Sequence, residues 1–287
     1  MPKMERLISD YPSYEWWGPG WLVVLALLSY LYAKTFVMSD RYHVTKAKMT
    51  YFYGAIALTY FVKGSPFSLI ADHYLFSAHV FQISVLLFVV TPLIILSLPT
   101  NFLRRCFWHY RIKKLLRLFA HPWMTAIFFN GFVTVYFVPS VFNTLQEHAV
   151  LLAAAQIILV IHAFFMWWTI ITPLPEVSKL SDFVKVAYVF CTALLLMPIG
   201  FFLIVFGDAH YPLYNARAGE LFPMMTAIYD QQLAGGILKA IQLSSYGVAL
   251  FYLISNWARK EEEKDAYTEG DNRPVVQGAF PHLPNKK

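Results

Sequence analysis

The chain has 287 residues, of which 58% are hydrophobic and only 14% are charged. A soluble domain carries about a quarter charged residues, so this composition excludes an ordinary water-soluble protein. The formal net charge is +6, but the basic residues fall in short connections between apolar stretches, which is typical of a membrane protein and argues against a nucleic-acid partner.

Seven apolar stretches approach the roughly 20 helical residues that the bilayer core requires. The sequence therefore predicts an all-α, polytopic membrane protein, a bundle of about seven transmembrane helices in contact with the lipid bilayer. The predicted helices lie at about 17–36, 49–70, 73–98, 123–140, 148–171, 184–206 and 234–256. Lys63, Gly64, Ser65 and Pro66 interrupt the second, so a continuous helix and a broken or re-entrant one both remain open there.

Lysine and arginine concentrate in alternate connections. They cluster after the first, third and seventh helices, at 34–48, 104–117 and 259–260, with Lys179 and Lys185 after the fifth, and they are scarce in the other connections. Because basic loops stay in the cytoplasm, we expect a multi-pass membrane protein with the N-terminus outside and the C-terminus inside. Residues 1–257 form the predicted transmembrane domain, and 258–287 form a polar, proline-containing segment that we expect to be a disordered cytoplasmic tail.

Ionisable side chains are costly in lipid and usually turn towards a partner, water or a metal. On the predicted topology, the histidines near the outer side are His73, His79, His148 and His210. Imidazole and thioether groups suit copper(I), so these four are candidate copper ligands, with Met224 and Met225 as weaker ones. The alternative is that each histidine bonds separately to backbone or lipid headgroups.

Helical spacing constrains this candidate site. His79 and Gln82 are three residues apart and share a helix face. His73 and His79 are six apart and face nearly opposite sides unless the helix begins after His73. Two further expectations are that Asn130 bonds across helices and that Gly235 and Gly236 allow close backbone approach.

Soluble-enzyme motifs are absent from the sequence: it has no phosphate-binding glycine loop, no HExxH and no nucleophile elbow. The two cysteines, Cys106 and Cys191, form no CxxC motif. We therefore expect a protein that is not an enzyme. A haem- or quinone-linked redox enzyme and a transporter of copper or another small solute remain as less favoured alternatives.

Between about residues 70 and 257 the chain resembles the CtaG family of the Bacillus type, assembly factors of caa3-type cytochrome c oxidases. The resemblance rests on the segments 74–82 (YLFSAHVFQ) with the proline-bearing stretch to Pro99, 104–105 (RR), 121–122 (HP), 167–168 (WW), 173–175 (PLP) and 230–236 (DQQLAGG). Asp230 and Gln231 match the family pattern, and His79 carries over directly as a ligand candidate. Ile83 stands where many relatives have a second histidine.

The resemblance implies a role in maturing a copper-containing haem a oxidase, by delivering or inserting copper at the extracytoplasmic face. Cytochrome c oxidase subunits are then the expected partners, copper the expected cargo, and a bacterial plasma membrane the expected location. The alternative is a metal-free scaffold that holds a subunit during assembly. The sequence leaves open whether one chain or a homo-oligomer holds the copper.

Overall fold

The structure is a computed structural model that describes residues 11–39, 41–42, 44–107, 121–174 and 180–271. The regular elements of these residues are all helical, as the sequence predicts. In chain order they are α1 (Ser13–Trp16), α2 (Pro19–Tyr32), α3 (Lys46–Gly64), α4 (Pro66–His73), α5 (Phe76–Val85), α6 (Thr91–Ser97), α7 (Thr100–Phe107), α8 (Pro122–Phe137), α9 (Pro139–Glu147), α10 (Ala149–Ile171), α11 (Asp182–Leu195), α12 (Met197–Val205), α13 (Pro212–Asn215) and α14 (Ala227–Asp271). Two π-helical turns, Ala33–Val37 and Leu86–Val90, extend α2 and join α5 to α6.

Five stretches of the described residues are long and apolar enough to cross a membrane: Pro19–Val37, Phe76–Ser97, Ala149–Ile171, Asp182–Val205 and Ala227–Glu263. The pairs α3–α4 and α8–α9 also qualify when each pair is counted together, but they are bent by 52° and 72°. The described chain therefore contains five spans, or up to seven if each bent pair is one. The upper figure agrees with the predicted number.

Proline and its neighbours explain both bends. Ser65 leaves the helical conformation, and its hydroxyl accepts a hydrogen bond from the Phe67 amide at 3.2 Å, while Pro66 begins α4. A proline at the first helical position loses no intrahelical bond. The second predicted helix is thus broken at the interruption seen in the sequence. The second bend, where Val138 is extended and Pro139 begins α9, falls inside the predicted fourth helix and was not anticipated.

The longest helix, α14, packs against α5, α11 and α12. Gly235 makes its contact with α12 very close, because a Cβ at this position would lie 2.7 Å from Ile204 Cγ1 and 2.9 Å from Leu203 Cβ. The expected close approach is therefore present at Gly235. Gly236 has open space around its Cβ position and faces outwards.

Large apolar side chains cover the outside of the bundle. Val150, Phe183 and Phe251 are 82%, 72% and 75% exposed. Contiguous apolar surface of this kind is unfavourable in water and is the normal outer surface of helices in lipid. This supports the membrane assignment, whereas the predicted orientation of the termini stays a prediction.

Contacts between loops define two ends of the bundle. The histidine end comprises 65–79, 136–149 and 206–231, where Tyr214 donates to the Ala71 carbonyl at 3.0 Å and Tyr211 donates to that of Phe137 at 2.7 Å. The basic end comprises 44–48, 97–107, 180–185 and 257–263, where the Lys48 ammonium donates to the Leu98 carbonyl at 2.7 Å. The hydrogen bonds given for the histidine end come from neutral tyrosine hydroxyls, whereas the one given for the basic end comes from a charged lysine.

The segment predicted to be a tail begins as helix. α14 continues past the predicted boundary at 257 as far as Asp271, and Lys260 on it contacts Asp182 at 2.6 Å. The remainder of the predicted tail, 272–287, lies outside the described residues, as do residues 108–120 and 175–179 of the predicted basic loops.

Candidate functional site

Asp230 closes the histidine end by capping α5. Its carboxylate oxygens accept hydrogen bonds from the Phe76 amide at 2.7 Å and the Ser77 amide at 3.0 Å, and the residue is only 4% exposed. The first amides of a helix have no intrahelical acceptor, and the positive end of the helix dipole favours a carboxylate there. Asp230 therefore fixes the start of the helix that carries His79.

The neighbouring residue Gln231 holds the connection between α12 and α13. Its Oε1 accepts from the His210 amide at 3.0 Å, and its Nε2 donates to the Asp208 carbonyl at 3.2 Å. The His210 ring stacks on Phe202 with centroids 5.3 Å apart, and its Nε2 is buried without a partner among the described residues. His210 is thus fixed by backbone and ring contacts rather than by another histidine.

Two tyrosines tie the same connection to the rest of the histidine end. The Tyr211 and Tyr214 hydroxyls donate to the carbonyls of Phe137 and Ala71, so they link α13 to α8 and α4. Burial raises the pKa of both phenols above its ordinary value. They consequently remain neutral donors over the physiological range.

A chain of buried polar side chains connects His79 with Lys63. His79 is completely buried, and its Nε2 lies 2.9 Å from the Tyr136 hydroxyl. Gln156 donates to that hydroxyl at 3.4 Å and accepts from the Lys63 ammonium at 2.8 Å. Lys63 also donates to Gln82 Oε1 at 2.9 Å. We name these five residues the His79–Lys63 network; they come from α3, α5, α8 and α10.

The hydrogen bonds of this network assign the histidine tautomer. Tyr136 accepts from Gln156, and when its own proton is donated to His79 Nε2 the hydroxyl has a partner for every role; the imidazole proton then lies on Nδ1, on the side of the Asp72 carboxylate. That Nδ1 has no hydrogen-bond partner among the described residues. It points towards Asp72, whose Oδ1 lies 3.9 Å away.

Asp72 connects the buried network to an open cleft. Its side chain is 43% exposed. It borders a cleft of about 640 Å³ between α1, the start of α2, and α4. The cleft is lined by Tyr14, Glu15, Gly18, Pro19, Gly20, Trp21, Val24, Ser68, Leu69 and Asp72. His79 itself does not line the cleft, so Asp72 is the residue of the cleft lining that lies 3.9 Å from His79 Nδ1.

The structure does not gather the predicted ligands into one site. His73 and His79 could share a site only if the helix of His79 began after His73, and α5 does begin there. His73 nevertheless stacks on Tyr11, with ring centroids 5.2 Å apart. His148 is exposed at the start of α10, and Met224 is 89% exposed. Met225 is partly exposed in the same loop. Among the described residues, no three histidine, cysteine, aspartate or glutamate side chains form a group able to hold a metal.

Sequence reasoning found some members of the site and missed others. It placed His79 and Gln82 on one face, and both are completely buried in the same network. It read Lys63 only as an interruption of the second helix, and it did not single out Tyr136 or Gln156. The sequence did contain a signal for Lys63, because a lysine beside a predicted helix break in an apolar span is costly and usually has a partner.

These observations define a class of protein: a helical bundle suited to a membrane, with a buried polar network and an adjacent cleft at one end. The family model for cytochrome c oxidase caa3 assembly factors, Caa3_CtaG, matches residues 28–260. The chain therefore belongs to this family, and the match contains the whole His79–Lys63 network. Neither a curated protein nor a solved structure matches the chain.

Proposed function

We propose that this assembly factor assists the insertion of copper into a caa3-type cytochrome c oxidase and is not itself an enzyme. It acts with its histidine end at the extracytoplasmic face of the plasma membrane. Family membership supports the link to the oxidase. The orientation is supported by Lys48, Arg104 and Lys260, which lie at the opposite end, as expected for the cytoplasmic side.

The observation that carries the copper proposal is the pairing of His79 with Asp72 beside the cleft. His79 Nδ1 is unpartnered and 3.9 Å from a carboxylate oxygen that is accessible from the cleft. One imidazole and one carboxylate are fewer donors than a stable protein site provides. Copper held there keeps coordination positions open for ligands of the oxidase subunit that receives it.

Two further features favour transfer over storage. Copper must displace the proton on His79 Nδ1, so binding releases a proton. The Lys63 ammonium belongs to the same hydrogen-bonded network, and its positive charge opposes a second cation nearby. Both effects weaken the hold on copper, which suits a cargo that has to leave.

A metal-free scaffold is the second candidate function. It is favoured by the lack of a three-ligand group among the described residues and by the positive charge of Lys63. In this case the cleft and the histidine end hold an oxidase subunit, and His79 only orders the network through Tyr136.

The decisive experiment combines copper analysis of the purified chain with complementation of a deletion strain. Copper delivery predicts that the purified chain, dialysed against copper(I), retains copper, and that His79→Ala and Asp72→Asn each lower this retention at least about tenfold, since one change removes the imidazole and the other the carboxylate charge. The control is His148→Ala, which removes an exposed histidine and should leave copper retention unchanged.

The oxidase of the complemented strain separates the two candidates. Copper delivery predicts an oxidase depleted of copper when His79→Ala replaces the wild type. A wild-type chain that takes up no copper in this dialysis, together with a His79→Ala variant that restores oxidase activity and copper content, would exclude delivery through this site and leave the scaffold.

A further inference from the structure

A second lysine, Lys239, lies deep within the longest span. It follows Asp230 by nine residues on α14, which places its Cα about 13 Å from the histidine end at 1.5 Å per residue. An ammonium group at such a depth is unfavourable in lipid and usually marks a functional contact. The His79–Lys63 network does not include Lys239, so the proposed copper function does not explain it.

The side chain is held in place and does not extend to the nearer end. Its ammonium donates to Gln242 Oε1 at 2.6 Å, one turn further from the histidine end. The basic end begins at residue 257, which is about 22 Å beyond Gln242 along the helix. Lysines near helix ends normally extend to the interface instead. Lys239 therefore keeps its charge inside the span, about 13 Å from the histidine end and about 27 Å from the basic end.

α12 provides the room for this lysine. Gly200 lies under its aliphatic chain, and a Cβ at this position would be 2.6 Å from Lys239 Cδ and 3.0 Å from Cγ. Any larger residue at 200 would displace the lysine from the groove between α12 and α14. The missing side chain at Gly200 of α12 thus leaves space for the lysine side chain of α14.

The charge of Lys239 has no counter-ion among the described residues; Gln242 is its hydrogen-bond partner. Gln242 is itself fully buried, and its Nε2 has no partner in the described part of the chain. A neutral amide orients an ammonium group but does not neutralise it. A carboxylate is the group that completes this arrangement.

The part of the chain that the structure describes places no carboxylate at this depth. Within the described spans, acidic residues lie only near the ends, for example Asp72 and Asp230 at the histidine end and Asp182 at the basic end. A second copy of the chain in the same orientation therefore cannot neutralise Lys239. The complementary group has to come from a different protein.

The adjacent surface of α14 is open to a neighbouring helix. Gly236, Ala240 and Gly247 are exposed on its outward side, and nothing lies within 4 Å of a Cβ built at either glycine. Small residues spaced by about one turn let helix backbones approach closely in lipid. This surface lies beside the groove that holds Lys239.

We propose that the groove at Lys239 docks a transmembrane helix of another protein, one that carries an aspartate or glutamate at about the same depth. The ammonium pairs with this carboxylate, and the small residues of α14 allow the two helices to approach. The proposal goes beyond copper insertion and holds equally for a metal-free scaffold, because it concerns the lipid-facing side of the bundle.

The test uses the full chain, fluorescently labelled at its C-terminus, in phosphatidylcholine liposomes at pH 8. The probes are single-span polyleucine peptides that carry either glutamate or leucine at the depth of Lys239, about 13 Å from the end of the span, and binding is measured by energy transfer. An ion pair with Lys239 predicts roughly tenfold tighter association of the glutamate peptide with the wild type.

Lysine variants locate the contact. The preference for the glutamate peptide should disappear in Lys239→Met and persist in Lys260→Met, which removes a lysine at the basic end. Lys239→Glu should instead prefer a peptide with lysine at that depth. Equal association of the glutamate and leucine peptides with the wild type would overturn the proposal, as would an undiminished preference in Lys239→Met.

Discussion

The two ends of the bundle handle charge in different ways. At the histidine end, Asp230 is 4% exposed and bonds to two amides of another helix. At the basic end, Asp182, 11% exposed, pairs at 2.6 Å with Lys260, whose side chain is 53% exposed to water, and only loosely, at 3.8 Å, with Lys185, which is 11% exposed. Buried hydrogen bonds to a carboxylate contribute much more than ion pairs that water and salt can reach. We therefore expect the histidine end to be rigid and the basic end to be tolerant of change.

The largest expected effect comes from removing the cap of α5. Asp230→Ala leaves the amides of Phe76 and Ser77 buried without acceptors, and we expect it to lower the free energy of unfolding by about 2–4 kcal/mol. Thermal unfolding in detergent measures the loss. The control is Asp208→Ala, because Asp208 is an exposed aspartate at the same end.

A cap of this kind also predicts an intermediate result for Asp230→Asn. The amide keeps one acceptor but loses the charge, so its effect should lie between those of wild type and Asp230→Ala. If Asp230→Ala lowers the free energy of unfolding no more than Asp208→Ala does, the expected difference in rigidity between the two ends is wrong.

The next effect tests how far the tight packing extends from the histidine end along α14. Gly235→Ala places a Cβ 2.7 Å from Ile204 Cγ1 and 2.9 Å from Leu203 Cβ. Overpacking of this kind costs about 1–3 kcal/mol. Gly236→Ala is the matched control, since its Cβ meets nothing within 4 Å. It should be neutral or stabilising by up to about 1 kcal/mol, because alanine favours helix.

Thermal unfolding of the two variants measures both changes in stability. Equal stability of Gly235→Ala and Gly236→Ala would mean that α12 yields to the added methyl group. The close packing would then stop short of Gly235.

The sequence predicted the spans well because lipid excludes polar side chains from long stretches of helix. It also predicted the break at 63–66 as one of two alternatives, and the shared face of His79 and Gln82, since both follow from local chemistry and helical spacing. The expectation that Asn130 bonds across helices is wrong. Its amide donates to Ala126 in its own helix at 2.7 Å.

Spacing along the sequence could not predict that Lys63, Tyr136 and Gln156 belong to one network. These residues lie on three helices, and their contact depends on the angle between α3 and α4 and on the packing of α8 against α10. The same limit applies to the four histidines. The sequence placed them at one end of the bundle, but side-chain packing directed His73 to Tyr11 and His210 to Phe202.

The smallest expected effect lies at the basic end. Lys260→Gln removes one ion pair of Asp182, but Lys185 remains beside the carboxylate. Because the Lys260 side chain is half exposed, we expect a loss of no more than about 0.5 kcal/mol. Its counterpart at the histidine end is Tyr214→Phe, which removes a buried hydrogen bond to Ala71 and should cost about 1–2 kcal/mol.

Salt distinguishes the two effects by their physical origin. Raising the ionic strength from about 0.05 to 0.5 M screens exposed charges, so the difference between wild type and Lys260→Gln should vanish. The difference caused by Tyr214→Phe should persist, because the bond is neutral and buried. A loss in Lys260→Gln that equals that of Tyr214→Phe and survives high salt would show that Asp182 and Lys260 act as a buried pair, and the basic end would then be as rigid as the histidine end.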